Sequence, residues 1–212
     1  MPGVDAHESI TRVRHQLRGE MRRRRRALSS SERNRAAQAV AERIAQGVRL
    51  AHGARVGAYL SAGSELDTRP LLDLAQRRGW QIFVPVVVDA RTARMRFAPL
   101  RGALRLNRFG IAEPAIVAAP GDAGWIAPRW LDVVFLPLLA VGPRGERLGS
   151  GAGFYDRAFA YRRLRSAWGK PPLIGLAHDF QRVAALPRAP WDVPLDRLIT
   201  DRDIYRFRSA PA

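Results

Sequence analysis

Leu131-Asp-Val-Val-Phe-Leu-Pro-Leu-Leu-Ala140 is the most apolar run in the chain, and Arg147-Leu-Gly-Ser-Gly-Ala-Gly-Phe-Tyr-Asp-Arg157 follows it closely. The first run reads as a central strand, apolar because both faces of its sheet are covered. Phe154 to Trp168 reads as a helix, so the two stretches make a strand, a glycine loop and a helix. Gly149, Gly151 and Gly153 admit positive φ and let a ligand approach the backbone without a Cβ in the way. Free N–H groups at a helix start suit a phosphate. Asp156, just past the loop, is placed to hold a divalent cation, although such a residue taken alone more often pairs with a neighbour such as Arg157 or caps the helix. The loop has no Gly-Lys-Ser/Thr and lacks Gly-x-Gly-x-x-Gly spacing, so it is neither a Walker loop nor a dinucleotide fingerprint. A bare glycine-rich turn is the competing reading.

Working outward, the same alternation repeats. Arg55 to Ser61 reads as a strand, Ser64-Glu-Leu-Asp-Thr68 as a polar loop, and Thr68 with Pro70 as the start of a helix ending at Gly79. Gln81 to Val88 is a β-branched run whose Pro85 points to an edge, bulge or strand end. Met95 to Leu100, Pro172 to Ala177 and Leu195 to Thr200 supply further short strands, and 115–130 reads as a surface connection. Strands alternating with helices predict an α/β fold, a single three-layer domain over 1–212 with a mainly parallel central sheet flanked by helices. About 1–8 and 206–212 are expected to be flexible tails. Ligands of such sheets lie beyond the carboxyl ends of the strands, where Glu65 and the glycine loop could meet.

An N-terminal helical pair precedes the first strand. From Glu8 to Ala27, Ile10, Val13, Leu17 and Met21 recur at helical spacing, with Arg14, Arg18 and Arg22 as a basic ridge beside them. Arg22 to Arg26 could be a targeting or nucleic-acid patch, but reads better as a solvated helix end near the negative pole of the dipole. Ser29 and Glu32 have capping-box spacing for a second helix to about Gly47.

Composition narrows the function classes. No apolar run approaches the roughly 20 residues needed to span a bilayer, and no signal-peptide pattern opens the chain. With no cysteine, disulfide and thiolate chemistry are excluded, and a cytoplasmic location is expected. The net charge of +17 suits anionic ligands, but Lys170 is the single lysine, which marks an arginine-biased composition rather than a phosphate-tracking surface. Nucleic acid is therefore not expected as the main ligand. No long apolar surface stripe is left over, so a monomer is expected. His178 has no evident partners and reads as structural.

Several separated stretches together resemble the 5-formyltetrahydrofolate cyclo-ligase (5,10-methenyltetrahydrofolate synthetase) family. They are Arg14…Leu17-Arg18, Ser64 to Thr68, and Phe109-Gly-Ile-Ala-Glu-Pro114, then Pro137…Gly145-Glu-Arg147 through Arg157, Asp192-Val-Pro-Leu-Asp196 and Ile199-Thr200. The match covers residues 14 to 200 in order, and the glycine core is its specific part. Arg14 stands where many members carry lysine, Ser150 and Ala152 where other residues are common, and Trp191 where histidine often precedes the aspartate.

The resemblance implies an ATP- and Mg²⁺-dependent enzyme acting on a reduced folate. The formyl oxygen of 5-formyltetrahydrofolate would be phosphorylated, N10 would close the ring, and 5,10-methenyltetrahydrofolate, ADP and phosphate would leave. It further implies that Arg14, Arg18 and the segment Arg147, Leu148, Gly149, Ser150, Gly151, Ala152, Gly153, Phe154 and Tyr155 bind ATP. Leu60, Glu65 and the stretch from Ser150 to Phe154 would bind folate; Asp156 and Asp192 would hold Mg²⁺. Arg147, Tyr155 and Asp156 would carry the chemistry. Two other classes stay open: a basic RNA-binding protein on an α/β scaffold, and a catalytically weakened relative that binds folate or nucleotide.

Overall fold

The computed structural model describes residues 2–107, 110, 112–115, 124–164 and 170–207. Helix α1 (Pro2–Ala27) starts well before the expected Glu8, and α2 (Ser30–Gly47) follows. The capping box forms as expected: the Ser29 hydroxyl accepts from the Glu32 N–H, and Glu32 accepts from the Ser29 N–H. Ala36, Val40 and Ile44 line the buried face of α2.

Strand β1 (Arg55–Gly57), helix α3 (Arg69–Arg77), and strands β2 (Gln81–Asp89) and β3 (Arg94–Pro99) come next. A small hairpin is made by β4 (Leu104–Leu106) and β5 (Ala112–Pro114). Then come β6 (Val133–Pro137), the paired β7 (Ala140–Val141) and β8 (Arg147–Leu148), helices α4 (Phe154–Ala158) and α5 (Tyr161–Leu164), and strands β9 (Leu173–Ala177), β10 (Arg197–Thr200) and β11 (Ile204–Arg206).

Seven strands form one sheet in the order β11-β10-β9-β6-β1-β2-β3. The five from β10 to β2 are parallel, and β11 and β3 are antiparallel edges. The apolar run centred on β6 is therefore central, as its composition demands. Val133 and Phe135 point into the core shared with α2 and α3, while Val134 and Leu136 point into a second core with Phe97 and Phe159. Burying each such side chain contributes roughly 1.5–3 kcal/mol. This is the three-layer arrangement expected from the strand–helix alternation.

Of the expected edge, bulge or strand end, Pro85 takes the edge: it lies inside β2 but beyond the last β1 pair. Phe83 accepts from Ala58 on the β1 side, so by alternation Pro85 faces that same side, where no ladder donor is missed. Three other local expectations change, the first being that β1 ends at Gly57, short of the expected Ser61. The helix from Phe154 stops at Ala158, because Phe159 turns into the core against Phe97, with ring centroids 6.4 Å apart. Residues 165–168 of that expected helix lie outside the described residues. The edge strand β11 was not anticipated, and Arg206, assigned to a tail, belongs to it.

Helix α1 sits on neither face of the sheet. Met21 and Leu17 pack on Leu139, Ala140 and Leu148 of the β7–β8 hairpin, at the carboxyl edge of the parallel strands. Val13, expected on the apolar stripe, is exposed. Part of the face turned to the protein is instead the basic ridge.

Candidate active site

A cavity of about 410 Å³ opens at the carboxyl ends of β1 and β6, roofed by α1. Tyr59, Leu60 and Glu65 reach it from the chain leaving β1, and Pro137 to Leu139 from the chain leaving β6. Gly149 to Asp156 form one wall, and β2, β3 and the β4–β5 hairpin supply Val84, Met95 and Asn107. This is the crevice that a parallel sheet leaves where neighbouring strands diverge.

One end gathers positive charge around the glycine loop. The loop after β8 places Gly151 at φ 124° and Gly153 at φ 71°, and Gly153 is the N-cap of α4. Ala152 is not in the positive-φ region, so its methyl is tolerated. With only five residues, α4 has too few aligned peptides for a strong N-terminal dipole, which corrects the helix-start expectation. The positive charge comes from arginines. Arg18 donates from Nε to the Gly149 carbonyl (3.0 Å), Arg22 to the Ser150 carbonyl (3.2 Å), and Arg157 to the Ala152 carbonyl (2.9 Å). Burial, followed by the neighbouring Arg14 and Arg22, lowers the pKa of Arg18, as expected of crowded cations awaiting a counter-ion. Arg147 is buried, lies with its guanidinium carbon 5.6 Å from the centre of the Tyr155 ring, and keeps an unpartnered Nε.

The two aspartates differ. Asp156 accepts through Oδ1 from Arg147 (2.8 Å) and from the Val193 N–H (3.1 Å), and its Oδ2 has no hydrogen bond among the described residues. Asp192 has both oxygens taken by Arg14, and Oδ2 also accepts from the Ala189 N–H (2.9 Å). No group of three His, Cys, Asp or Glu side chains gathers among the described residues. Mg²⁺ needs only one or two carboxylates when phosphate oxygens and water complete its shell. Asp156 fits that donor set; Asp192, as it stands, serves to aim Arg14.

The other end is closed by Tyr59, Glu65 and Arg25. The Tyr59 hydroxyl donates to the Leu66 carbonyl, and Glu65 accepts from the Ala62 N–H, which pins the loop that carries the carboxylate. Burial raises the Glu65 pKa against the pull of that hydrogen bond and of Arg25. Burial, with Glu65 nearby, also holds the Tyr155 phenol well above its usual range.

Comparison with known proteins identifies the family. The chain matches the 5-formyltetrahydrofolate cyclo-ligase family over residues 10–201. It belongs to that family. The 5-formyltetrahydrofolate cyclo-ligase of Escherichia coli strain K12 is 32% identical over 192 residues, covering 88% of this chain and all of that protein. The Haemophilus influenzae protein of the same name is 30% identical, with 87% and 96% covered. In the NMR structure of Aquifex aeolicus 5,10-methenyltetrahydrofolate synthetase the fold recurs with a TM-score of 0.76 at 26% identity, covering 94% and 95% of the two chains.

Among the residues that the cyclo-ligase resemblance singled out, Arg14, Arg18, Leu60, Glu65, Arg147, Gly149 through Asp156, and Asp192 all line the cavity. Leu148 does not; it is fully buried beneath α1. His178 lies outside the cavity, with its ring stacked on Phe180 at 5.4 Å. Of the Phe109–Pro114 motif, Phe109 and Ile111 fall outside the described residues. Glu113 is buried and accepts from Arg105 (3.1 Å) and Asn107 (3.3 Å), so it orients the Asn107 side chain at the cavity wall. Asn107 and Met95 carried no sequence signal, because only the sheet order brings β3 and the small hairpin to the site. Arg25 had been read as part of a solvated helix end, yet it is buried.

Proposed function

We propose that the chain converts 5-formyltetrahydrofolate to 5,10-methenyltetrahydrofolate at the expense of ATP, with Mg²⁺ bound. The observation carrying this is one cavity with opposite chemistries at its ends: a glycine loop among arginines at one, the half-buried Glu65 carboxylate at the other. Arg14, Arg18, Arg147 and the N–H groups of Gly149 to Gly153 hold the triphosphate. Glu65 accepts hydrogen bonds from the aminopyrimidine edge of the pterin, and Leu60 and Phe154 flank the ring. Asp156 would hold Mg²⁺, which supplies charge neutralisation on the phosphates.

The formyl oxygen attacks the γ-phosphorus and ADP departs. The N10 lone pair then adds to the activated formyl carbon, the N10 proton is lost, and phosphate leaves with the former formyl oxygen. Arg147 and Arg18 oppose the charge on the transferred phosphoryl group. Tyr155, neutral because burial disfavours its phenolate, donates a hydrogen bond and does not act as a base. A monomer working in the cytoplasm belongs to the same reading.

The test is the near-ultraviolet absorbance of the methenyl product, measured with purified protein, 5-formyltetrahydrofolate and MgATP. Absorbance that grows only when ATP and metal are both present supports the proposal. A folded protein that binds nucleotide without producing the band would be a weakened relative. Binding of RNA that falls steeply with salt, with no turnover, would favour the nucleic-acid reading.

A further inference from the structure

Arginines 14, 18, 22 and 25 follow one another at spacings of four, four and three along α1, and all line the cavity. Eleven residues of helix span roughly 16 Å, so the row reaches from the glycine loop to the Glu65 end. The first three are engaged: Arg14 by Asp192, Arg18 by Gly149 and Arg22 by Ser150. Arg25 differs. It is 8% exposed, and among the described residues its Nε has no partner and its one hydrogen bond is a long 3.4 Å contact from Nη1 to the Leu138 carbonyl. It forms no ion pair among the described residues. A buried guanidinium carries five donors, and leaving them unpaired is costly.

What faces Arg25 identifies its partner. Glu65 and Tyr59 line the same end of the cavity as Arg25, and the Glu65 carboxylate is close enough for its charge to act on the guanidinium. A fork of donors and a carboxylate acceptor therefore flank one slot. A complementary ring edge carries N–H groups toward the acceptor and an oxygen toward the fork. The pterin has that edge: its 2-amino and N3–H groups donate, and the adjacent 4-oxo oxygen accepts.

We infer that Arg25 is a specificity residue for the pterin head, donating to its 4-oxo oxygen while Glu65 holds the 2-amino and N3–H groups. This rests on the folate reading proposed above. It makes α1 a single ruler whose first three arginines face the phosphates and whose fourth reads the ring. A 4-amino ring in place of the 4-oxo one turns a donor toward the cation and also loses the N3–H that faces Glu65, and the share of the rejection that Arg25 makes is the share that disappears when Arg25 is replaced.

The experiment crosses a change in the protein with a change in the ligand. Dissociation constants are measured for 5-formyltetrahydrofolate and its 4-amino-4-deoxy counterpart on the full chain and on the Arg25→Met and Arg25→Lys variants. Loss of a charged, desolvated hydrogen bond weakens the 4-oxo ligand about 10- to 100-fold in Arg25→Met. The 4-amino ligand changes by less than about threefold or binds better, and Arg25→Lys falls between. Retained stabilisation by MgATP shows that the variants fold; if Arg25→Met does not, Arg25→Lys carries the same comparison. Equal weakening of both ligands, or an unchanged preference, overturns the inference. So does a fall in kcat alone, which would place Arg25 at the reacting atoms. If the unaltered protein binds neither ligand, it is the folate reading that fails.

Discussion

At the scale of single residues, the site holds charges that the fold alone would not choose, and two substitutions expose them. Glu65 has its native pKa raised by burial. Well above that pKa the carboxylate is ionised in both states, and the native protein bears the desolvation cost. Below the unfolded value of about 4.5 it is protonated in both states and the cost disappears. Glu65→Gln is therefore expected to raise the melting temperature of the ligand-free protein by about 2–4 °C at pH 7.5. The gain fades as the pH approaches 4, while folate affinity falls at least tenfold at neutral pH. Thermal scans across pH read the first effect and titration with 5-formyltetrahydrofolate the second; a destabilised variant at pH 7.5 contradicts the account. The aspartates separate in the same way. Asp156→Asn keeps Oδ1 for Arg147 and Val193 but loses the charge at Oδ2, so kcat should fall roughly 100-fold or more and more Mg²⁺ should be required. Asp192→Asn releases Arg14 and should raise KM for ATP with the Mg²⁺ requirement little changed. Identical metal titrations for both variants and the unaltered chain would remove Asp156 from the metal site.

At the scale of elements, glycines with positive φ on either side of β8 do different work. Gly151 sits in the exposed loop at φ 124°, and an added Cβ comes no closer than 4.0 Å to its neighbours. Alanine there is strained by about 1–3 kcal/mol in the native geometry, but an exposed loop relaxes out of it. Gly151→Ala is expected to weaken MgATP binding about tenfold while the melting temperature moves little. Gly145, in the turn before β8, cannot relax, since its Cβ would lie 2.7 Å from the Leu195 carbonyl oxygen. Gly145→Ala should lower the melting temperature by on the order of 5 °C or more. Paired calorimetry and nucleotide titration check both, and a large stability loss in Gly151→Ala would show that the loop is rigid without ligand. These elements also mark what a sequence discloses. Periodicity, caps and the apolar β6 run are local properties and were legible. The end of β1 at Gly57 was not, because Tyr59 and Leu60 are as strand-like as their neighbours and leave the sheet to build the cavity. Arg25 was misjudged for a related reason: in a run of five arginines, only the helix's orientation against β7 and β8 decides which one is buried.

At the scale of the whole molecule, the sheet order converts scattered residues into a site, and that order is the part of the fold a single sequence states least directly. It also leaves α1 held differently from every other long element. Among the described residues the helix gives Leu17 and Met21 to an apolar cluster, and most of its other ties are arginine side chains, reaching carbonyls, Asp192 and, from Arg24, the face of the Phe180 ring. Elements with little apolar burial open at lower free energy than the core. In a chain of net charge +17, the row of like charges weakens that hold further. A ligand that fills the cavity would supply counter-charge to Arg18 and Arg22, which form no ion pair among the described residues, and would add to that of Asp192 at Arg14. Amide hydrogen exchange in α1 from about Leu17 to Arg25 is therefore expected to be faster than in β6 and β9 without ligand. At 100 times its dissociation constant MgATP stabilises the bound state by about 2.7 kcal/mol, so exchange limited by opening of α1 should slow by roughly 100-fold. Exchange in β6 and β9 should slow by as much only where it needs an opening that also releases the ligand. Raising the salt concentration should tighten α1 in the free protein by screening its self-repulsion, and loosen it in the complex by screening the phosphates. Opposite salt effects in the two states are the signature of a helix fastened by its substrate. Parallel effects would mean that α1 is held by packing alone.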